Sequence, residues 1–414
     1  MKGNDIKRRA FLKEVSFGAL GAAFLAQGLK PAKGASRPNN GTAPAASRPN
    51  PKDLSGGGTS RPHGRIKAFC IDFNWGPGGI NAFAGPGVWA DADPAQHVAW
   101  YEGLGVNVIQ TFAVSCNGYA WYKGGVVPEN PGLKYNFLSE MVKLGRAKGK
   151  LVVGYYCIAA NVLWAQRHPD LSYGNPPPAD YHIPLTAAYL DYLTASIQDA
   201  LQKTGMDGFM IDWVWNPKRP GGRWLGCEKQ SFAELMGRTF PGEDKLTKED
   251  LLDYERKAIN RCWSRIHQAA KEVKRDCIIW LSCNNLLDPT LANSPMLREL
   301  DWLQNENPDT RHIAAVRNMI GSYPRIIITV SGWGDKMDAY KVLNDAANRE
   351  FGVYGFARPG ANSLMLPIKT YLSKPYSAFS GNDRNIAVLA RFFNNRPFDY
   401  VEGKGAAPLS RADK

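Results

Sequence analysis

The chain has 414 residues, 44% of them hydrophobic and 11% aromatic, and a formal net charge of +13 at pH 7. Residues 1–65 hold twelve Lys/Arg against three Asp/Glu, so only +4 remains for residues 66–414. A nearly balanced body of this length excludes a nucleic-acid-binding surface as the reason for the basic pI and allows one large α/β domain.

The N-terminus carries Lys7-Arg8-Arg9-Ala10-Phe11-Leu12-Lys13 followed by a mildly apolar run from Val15 to Ala26. Twelve residues are too few to span a bilayer as a helix. The paired arginines before Phe-Leu-Lys resemble a twin-arginine export signal, with cleavage expected before Ala35. Residues 1–34 therefore read as a signal peptide, with the Tat export machinery as a partner. The mature chain is expected to be periplasmic or secreted, without a membrane span. Residues 35–64, rich in Pro, Ser, Asn and Gly, read as a linker.

From Arg65 onward strand and helix patterns alternate. Strands are expected over 66–73, 106–114, 151–158, 207–215, 277–283, 301–305, 325–330 and 351–356. Helices are expected over 94–104, 136–148, 189–203, 253–274, 311–320, 339–350 and 383–393. Eight such units predict parallel strands joined by crossover helices, an α/β fold of the (β/α)8 TIM-barrel type over 65–396 with enlarged βα loops and a tail over 397–414. A doubly wound open sheet is the rival, but no Gly-x-Gly-x-x-Gly turn follows the first strand. The long insertion 216–252 falls where such barrels build a lid or substrate wall.

Met206-Asp207-Gly208-Phe209-Met210-Ile211-Asp212-Trp213-Val214-Trp215 reads as a strand buried on both faces that closes on a carboxylate. Acids at the C-terminal lip of a barrel strand are placed for chemistry. The other strand ends carry a matching set of amides, acids and indoles: Asp72, Asn74 and Trp75; Asn117 and Trp121; Asn161 and Trp164; Trp213 and Trp215; Asn284; Glu306; Trp333 and Asp335. Sugars need this combination, because their hydroxyls want paired donors and acceptors and their C–H faces lie on aromatic rings. These residues are the expected substrate-binding set, although any one Trp could equally pack a loop.

Glycoside cleavage generally uses two carboxyl groups, one ionised and one held protonated by its surroundings. Asp212 suits the nucleophile and Glu306 the general acid/base. The alternatives are a loop-anchoring role for Asp212 and an ion pair to Arg311 for Glu306. Asp72 suits sugar hydroxyls or a loop anchor, and Asp288 and Asp335 are reserve acids. His168 and His182 read as structural.

No Gly-x-Ser-x-Gly elbow, His-Glu-x-x-His or Walker-type loop is present, so serine-hydrolase, zinc-peptidase and nucleotide-dependent readings are disfavoured and no cofactor or metal is expected. Cys70, Cys116, Cys157 and Cys283 fall in or at the ends of apolar strand-like runs and read as buried thiols. Whether Cys227 and Cys262 pair is left open by the sequence.

The run Gly105-Val106-Asn107-Val108-Ile109-Gln110-Thr111, leading to Asn117-Gly118-Tyr119-Ala120-Trp121, resembles the second-strand segment of alpha-L-fucosidases and related hypothetical glycosyl hydrolases. Asp207-Gly208-Phe209-Met210-Ile211-Asp212 resembles the strand that bears that family's nucleophilic aspartate, which carries over to Asp212. The resemblance spans roughly 66–360 and is clearest over 100–215. It implies a retaining hydrolase acting on an α-linked sugar through a covalent glycosyl intermediate. The family's paired histidines are here Ser115-Cys116 and the aspartate after them is Asn117, so fucose specificity does not carry over. The placement of the acids also resembles alpha-galactosidases. The expected function is thus a glycoside hydrolase with a carbohydrate substrate. The rivals are a non-catalytic carbohydrate-binding barrel and an envelope scaffold.

Overall fold

A computed structural model describes residues 64–76, 83–173, 182–212, 219, 222–292, 294–306, 313–331 and 339–404, with backbone only at 313–315 and 331. Eight parallel strands close into a barrel in chain order. They are β1 (Lys67–Ile71), β2 (Val108–Val114), β3 (Leu151–Cys157), β4 (Gly208–Asp212), β5 (Ile278–Cys283), β6 (Trp302–Asn305), β7 (Arg325–Ser331) and β8 (Gly352–Ala357). The helices are α1 (Pro94–Leu104), α2 (Phe137–Ala147), α3 (Val162–Arg167), α4 (Ala187–Thr204), α5 (Gly226–Met236) and α6 (Lys248–Val273). They continue with α7 (Met296–Glu299), α8 (Ile313–Ile320), α9 (Ala339–Asn348), α10 (Ile368–Leu372) and α11 (Gly381–Phe393). The barrel closes where β1 pairs with β8, Lys67 opposite Val353 through Ile71 opposite Ala357. An open doubly wound sheet is thereby excluded.

Local chemistry explains the element ends. The α1 cap residue Asp93 accepts from the backbone N–H of Ala95 and Gln96, Pro94 opens the helix, and Gly105 ends it at φ 85°. Proline at the first helical position and glycine just past the last are the favoured placements. The first strand begins and ends one to two residues inside its expected span, because Asp72 and Asn74 already serve the loop beyond. Helices α3, α5, α7 and α10 were not expected; all but α5 are six residues or shorter, too brief for a 3.6-residue period to register.

Side-chain direction follows from register. The Tyr354 hydroxyl on β8 donates to Gln110 Oε1 on β2 at 2.8 Å, and the Trp280 ring on β5 meets the Tyr354 ring at 5.1 Å. Neither strand pair is adjacent, so all three side chains occupy the barrel interior. Trp302, paired with Trp280, packs against it edge to face at 5.6 Å. Each buried indole removes roughly 200 Å² from water, on the order of 5 kcal/mol before ordering costs. The interior is filled by these rings, so the space for a ligand lies at the C-terminal mouth.

At the opposite, N-terminal face, Asp207 acts as a staple. Its carboxylate accepts from Val152 N–H at 2.8 Å and pairs with Arg146 at 2.7 Å and Lys274 at 3.4 Å, which ties β3, α2 and α6 to the entry of β4.

Past residue 396 the described chain stays packed. Phe398 meets the Tyr340 ring at 4.6 Å, and the buried Arg391 side chain donates to Tyr400 O at 3.1 Å. All seven cysteines are free thiols, Cys227 and Cys262 included. No helix among the described residues is long and apolar enough to cross a membrane.

Candidate active site

Strand alternation carries the inward direction up to the mouth. On β4 the inward series is Gly208, Met210, Asp212, level with Val153, Tyr155 and Cys157 of β3. On β5 and β6 it is Trp280, Ser282 and Trp302, Gln304, with Asn284 and Glu306 next in phase. On β1 and β8 it is Ala68, Cys70 and Tyr354, Phe356, with Asp72 and Arg358 next. Three carboxyl groups, Asp72, Asp212 and Glu306, therefore face one mouth.

Asp212 receives a hydrogen bond from the Tyr155 hydroxyl to Oδ2 at 2.9 Å, and that hydroxyl lies 3.5 Å from Cys116 Sγ. Two strands away, Glu306 Oε1 accepts from Ser282 Oγ at 2.5 Å. The Glu306 backbone N–H continues the ladder to Cys283 O. Burial raises the Glu306 carboxyl above its ordinary range, and the Ser282 hydroxyl opposes this. Between the two acids the Cys283 thiol is pushed up to about 12, first by burial, with the charges of Glu306, Asp212 and Asp288 acting in the same sense. The two backbones are separated by two inter-strand spacings, about 10 Å, and both side chains lean into the same hollow.

Asp72 sits at the end of β1, nearly opposite β4 around the barrel. Its Oδ1 accepts from Asn74 N–H at 2.8 Å. Burial raises its carboxyl to about 7, against the lowering effects of that hydrogen bond and of Arg358. Arg358 Nη1 donates to Gly76 O at 2.9 Å, which fixes the loop after β1 beneath it.

The remaining predicted residues separate into two groups. Asn284 is exposed at the mouth, and Trp75 is half-buried with its ring 4.9 Å from Phe83. The others are occupied by the scaffold. Asn74 Oδ1 accepts from Cys116 N–H, and Asn117 Nδ2 donates to Ala84 O while its Oδ1 accepts from Tyr119 N–H. Trp121 is 2% exposed, stacks on Phe73 at 4.4 Å and donates to Ser115 Oγ. Asn161 caps α3 by accepting from Trp164 N–H, and Trp164 packs among Tyr189, Ile183 and His168. These five side chains are held by helices and loops instead of lining the hollow. Trp213, Trp215, Trp333, Asp335 and Arg311 lie outside the described residues.

Tyr155, Ser282 and Arg358 were not singled out in the sequence. Strand parity was the one available signal, since each lies an even number of residues from an inward-facing neighbour. Among the described residues no group of three His, Cys, Asp or Glu side chains is arranged to hold a metal ion.

Residues 93–213 match a glycosyl hydrolase family. The model concerned is that of hypothetical glycosyl hydrolase 6, and the matched segment runs from the cap of α1 past the end of β4. No curated protein matches the chain. Among solved structures, the alpha-L-fucosidase isoenzyme 2 from Paenibacillus thiaminolyticus aligns at TM-score 0.57 and 14% identity, over 80% of this chain and 49% of that one. The chain thus spans about half the length of that fucosidase. The PgaB (BpsB) glycoside hydrolase domain from Bordetella bronchiseptica aligns at TM-score 0.53 and 10% identity, over 75% of this chain and 98% of that domain. At such identities the likeness concerns the fold. The matched family segment ends at the strand that delivers Asp212, which makes this mouth the place to look for glycoside hydrolase chemistry.

Proposed function

We propose that the chain is an exported, retaining glycoside hydrolase that cleaves an α-linked sugar, with Asp212 as nucleophile and Glu306 as acid/base. The observation that carries this reading is the pair of inward-facing acids on one rim. Each accepts a hydroxyl hydrogen bond, Asp212 from Tyr155 and Glu306 from Ser282, and burial biases Glu306 toward the carboxylic acid. Such a pair is what two-carboxylate hydrolysis requires. The glycosyl hydrolase family match over 93–213 and the fucosidase-like barrel agree with it.

In the first step Glu306 gives its proton to the leaving-group oxygen while Asp212 attacks the anomeric carbon. In the second, ionised Glu306 takes a proton from water, which attacks the same carbon and releases Asp212. Retention follows because two displacements occur at one centre. In this reading Asp72, Arg358, Asn284 and Trp75 hold sugar hydroxyls and a ring face.

The test is a panel of aryl α-glycosides with the mature chain. Asp212→Asn is expected to lose at least about 1000-fold in kcat with an unchanged Tm, and anomeric analysis of the first product is expected to show retention. Wild-type turnover by Asp212→Asn would refute the nucleophile assignment. Export through the twin-arginine route is tested by replacing Arg8 and Arg9 with Lys, which should retain the protein in the cytoplasm.

A further inference from the structure

Between the two proposed catalytic acids stands one strand, β5, and its inward residue at that level is Ser282. Ile211 pairs with Leu281, which brings Ser282 level with Asp212, and Ser282 itself pairs with Gln304, two residues before Glu306. Ser282 is 3% exposed, and its hydroxyl donates to Glu306 Oε1 at 2.5 Å. A buried hydroxyl spent on a catalytic carboxyl from within a strand is a fixed, low-mobility donor, unlike a water or a loop side chain.

We infer that Ser282 is a positioning residue that holds the Glu306 carboxyl in one orientation and sets the balance between its protonated and ionised forms. The inference rests on the acid/base role proposed above for Glu306. An acid/base in a double displacement must be protonated in the first step and ionised in the second, so a group buried to the point of permanent protonation would stall the second. The Ser282 hydroxyl donates, and a donor stabilises the ionised carboxylate. It therefore counteracts the burial that raises Glu306.

Burial alone is what the Ser282 donor opposes at Glu306, and among the described residues the other charged and titratable groups nearby are few. Asp212 on β4, the Cys283 thiol on β5 and Asp288 in the loop after β5 share the region, and the charges of Glu306, Asp212 and Asp288 all act on that thiol, which burial keeps neutral. From β7 the inward Ile327 and Thr329 carry no charge, and on the β8–β1 side Arg358 acts on Asp72.

The experiment compares Ser282→Ala, Ser282→Thr and the wild type. The protonation of Glu306 is followed by difference infrared titration of its carboxyl band, with Glu306→Gln identifying that band. Hydrolysis of the best aryl glycoside is followed against pH in parallel. Ser282→Ala should move the Glu306 midpoint upward, shift the alkaline limb of kcat/KM the same way and slow the second step several-fold at neutral pH. Ser282→Thr, which restores the hydroxyl, should return all three toward wild type. An inactive Glu306→Gln together with an unmoved Glu306 midpoint in Ser282→Ala overturns the role of Ser282 alone. Full activity in Glu306→Gln overturns the acid/base assignment, and this inference with it.

Discussion

Single hydrogen bonds differ in what they do at this mouth, and two side chains make the difference measurable. The Tyr155 hydroxyl donates to Asp212 from full burial, so it both orients the carboxylate and favours its ionised form. A hydrogen bond to a charged group is worth about 1.5–3 kcal/mol, so Tyr155→Phe should lower kcat by roughly 10- to 150-fold with little change in KM. A Tm within a few degrees of wild type would show that the loss is chemical. Asp72 is a different case, because its carboxyl is raised to about 7, chiefly by burial. Between its unfolded value near 4 and that point, the native state keeps the proton that the unfolded chain releases. Native stability attributable to Asp72 therefore falls as pH rises through this window and is flat above it. Asp72→Asn keeps the acceptor oxygen for Asn74 N–H and removes the titration. Urea unfolding should find the variant more stable than wild type at pH 8, by an order-of-magnitude 1–4 kcal/mol, and equal to it at pH 4. A constant difference across the range would show that Asp72 titrates normally.

Strands here are held by close backbone approaches that leave some positions no freedom. A Cβ added at Gly208 would meet Ile278 O at 2.0 Å and Ile278 Cβ at 2.6 Å, inside the barrel at the start of β4. Backbone cannot yield as a flexible side chain can, so Gly208→Ala should cost about 3 kcal/mol or more in denaturant unfolding. The same strand ends on Asp212, so loss of the folded fraction, not loss of chemistry, would explain any fall in activity. Active-site titration separates the two. This strand also shows what a sequence can and cannot disclose. Its apolar run and its closing acid were visible as a pattern, because a strand buried on both faces needs continuous apolar side chains. The eight-unit alternation likewise predicted the barrel, with helices such as α1 correct to the residue. Which indoles reach the mouth was not visible. Trp121 and Trp164 follow strand ends in the chain, yet their loops turn back and bury them against α2 and α4, a matter of tertiary packing that residue type does not encode. Tyr155 and Ser282 were hidden for the opposite reason. They lie within strands, where only the register between neighbours shows that they face a carboxylate.

Across the molecule, stability is divided between the barrel and the insertion after β4. The aromatic cluster of Trp224, Phe232 and Tyr254 is separate from the main core. It is built around Arg219, whose guanidinium lies 4.0 Å from the Trp224 ring centre and pairs with Glu228 at 3.0 Å and Glu255 at 3.3 Å. Glu228 is fully buried and also accepts from the Tyr173 hydroxyl at 2.6 Å, so the loop after β3, helix α5 and helix α6 meet at the two ion pairs of Arg219. Removing one partner of a buried pair leaves an uncompensated charge and costs about 3–5 kcal/mol, whereas neutralising both costs less. Because this cluster packs apart from the main core, the cost should appear as local opening. Arg219→Met is expected to raise amide exchange in α5 by two to three orders of magnitude while exchange in the eight strands stays near wild type. Glu228→Gln in the same chain should recover part of the protection. If α5 closes over bound glycan, turnover of a polymer should fall further than turnover of a small aryl glycoside. Equal exchange changes in α5 and in β1–β8 would instead make the insertion part of the barrel's own folding unit.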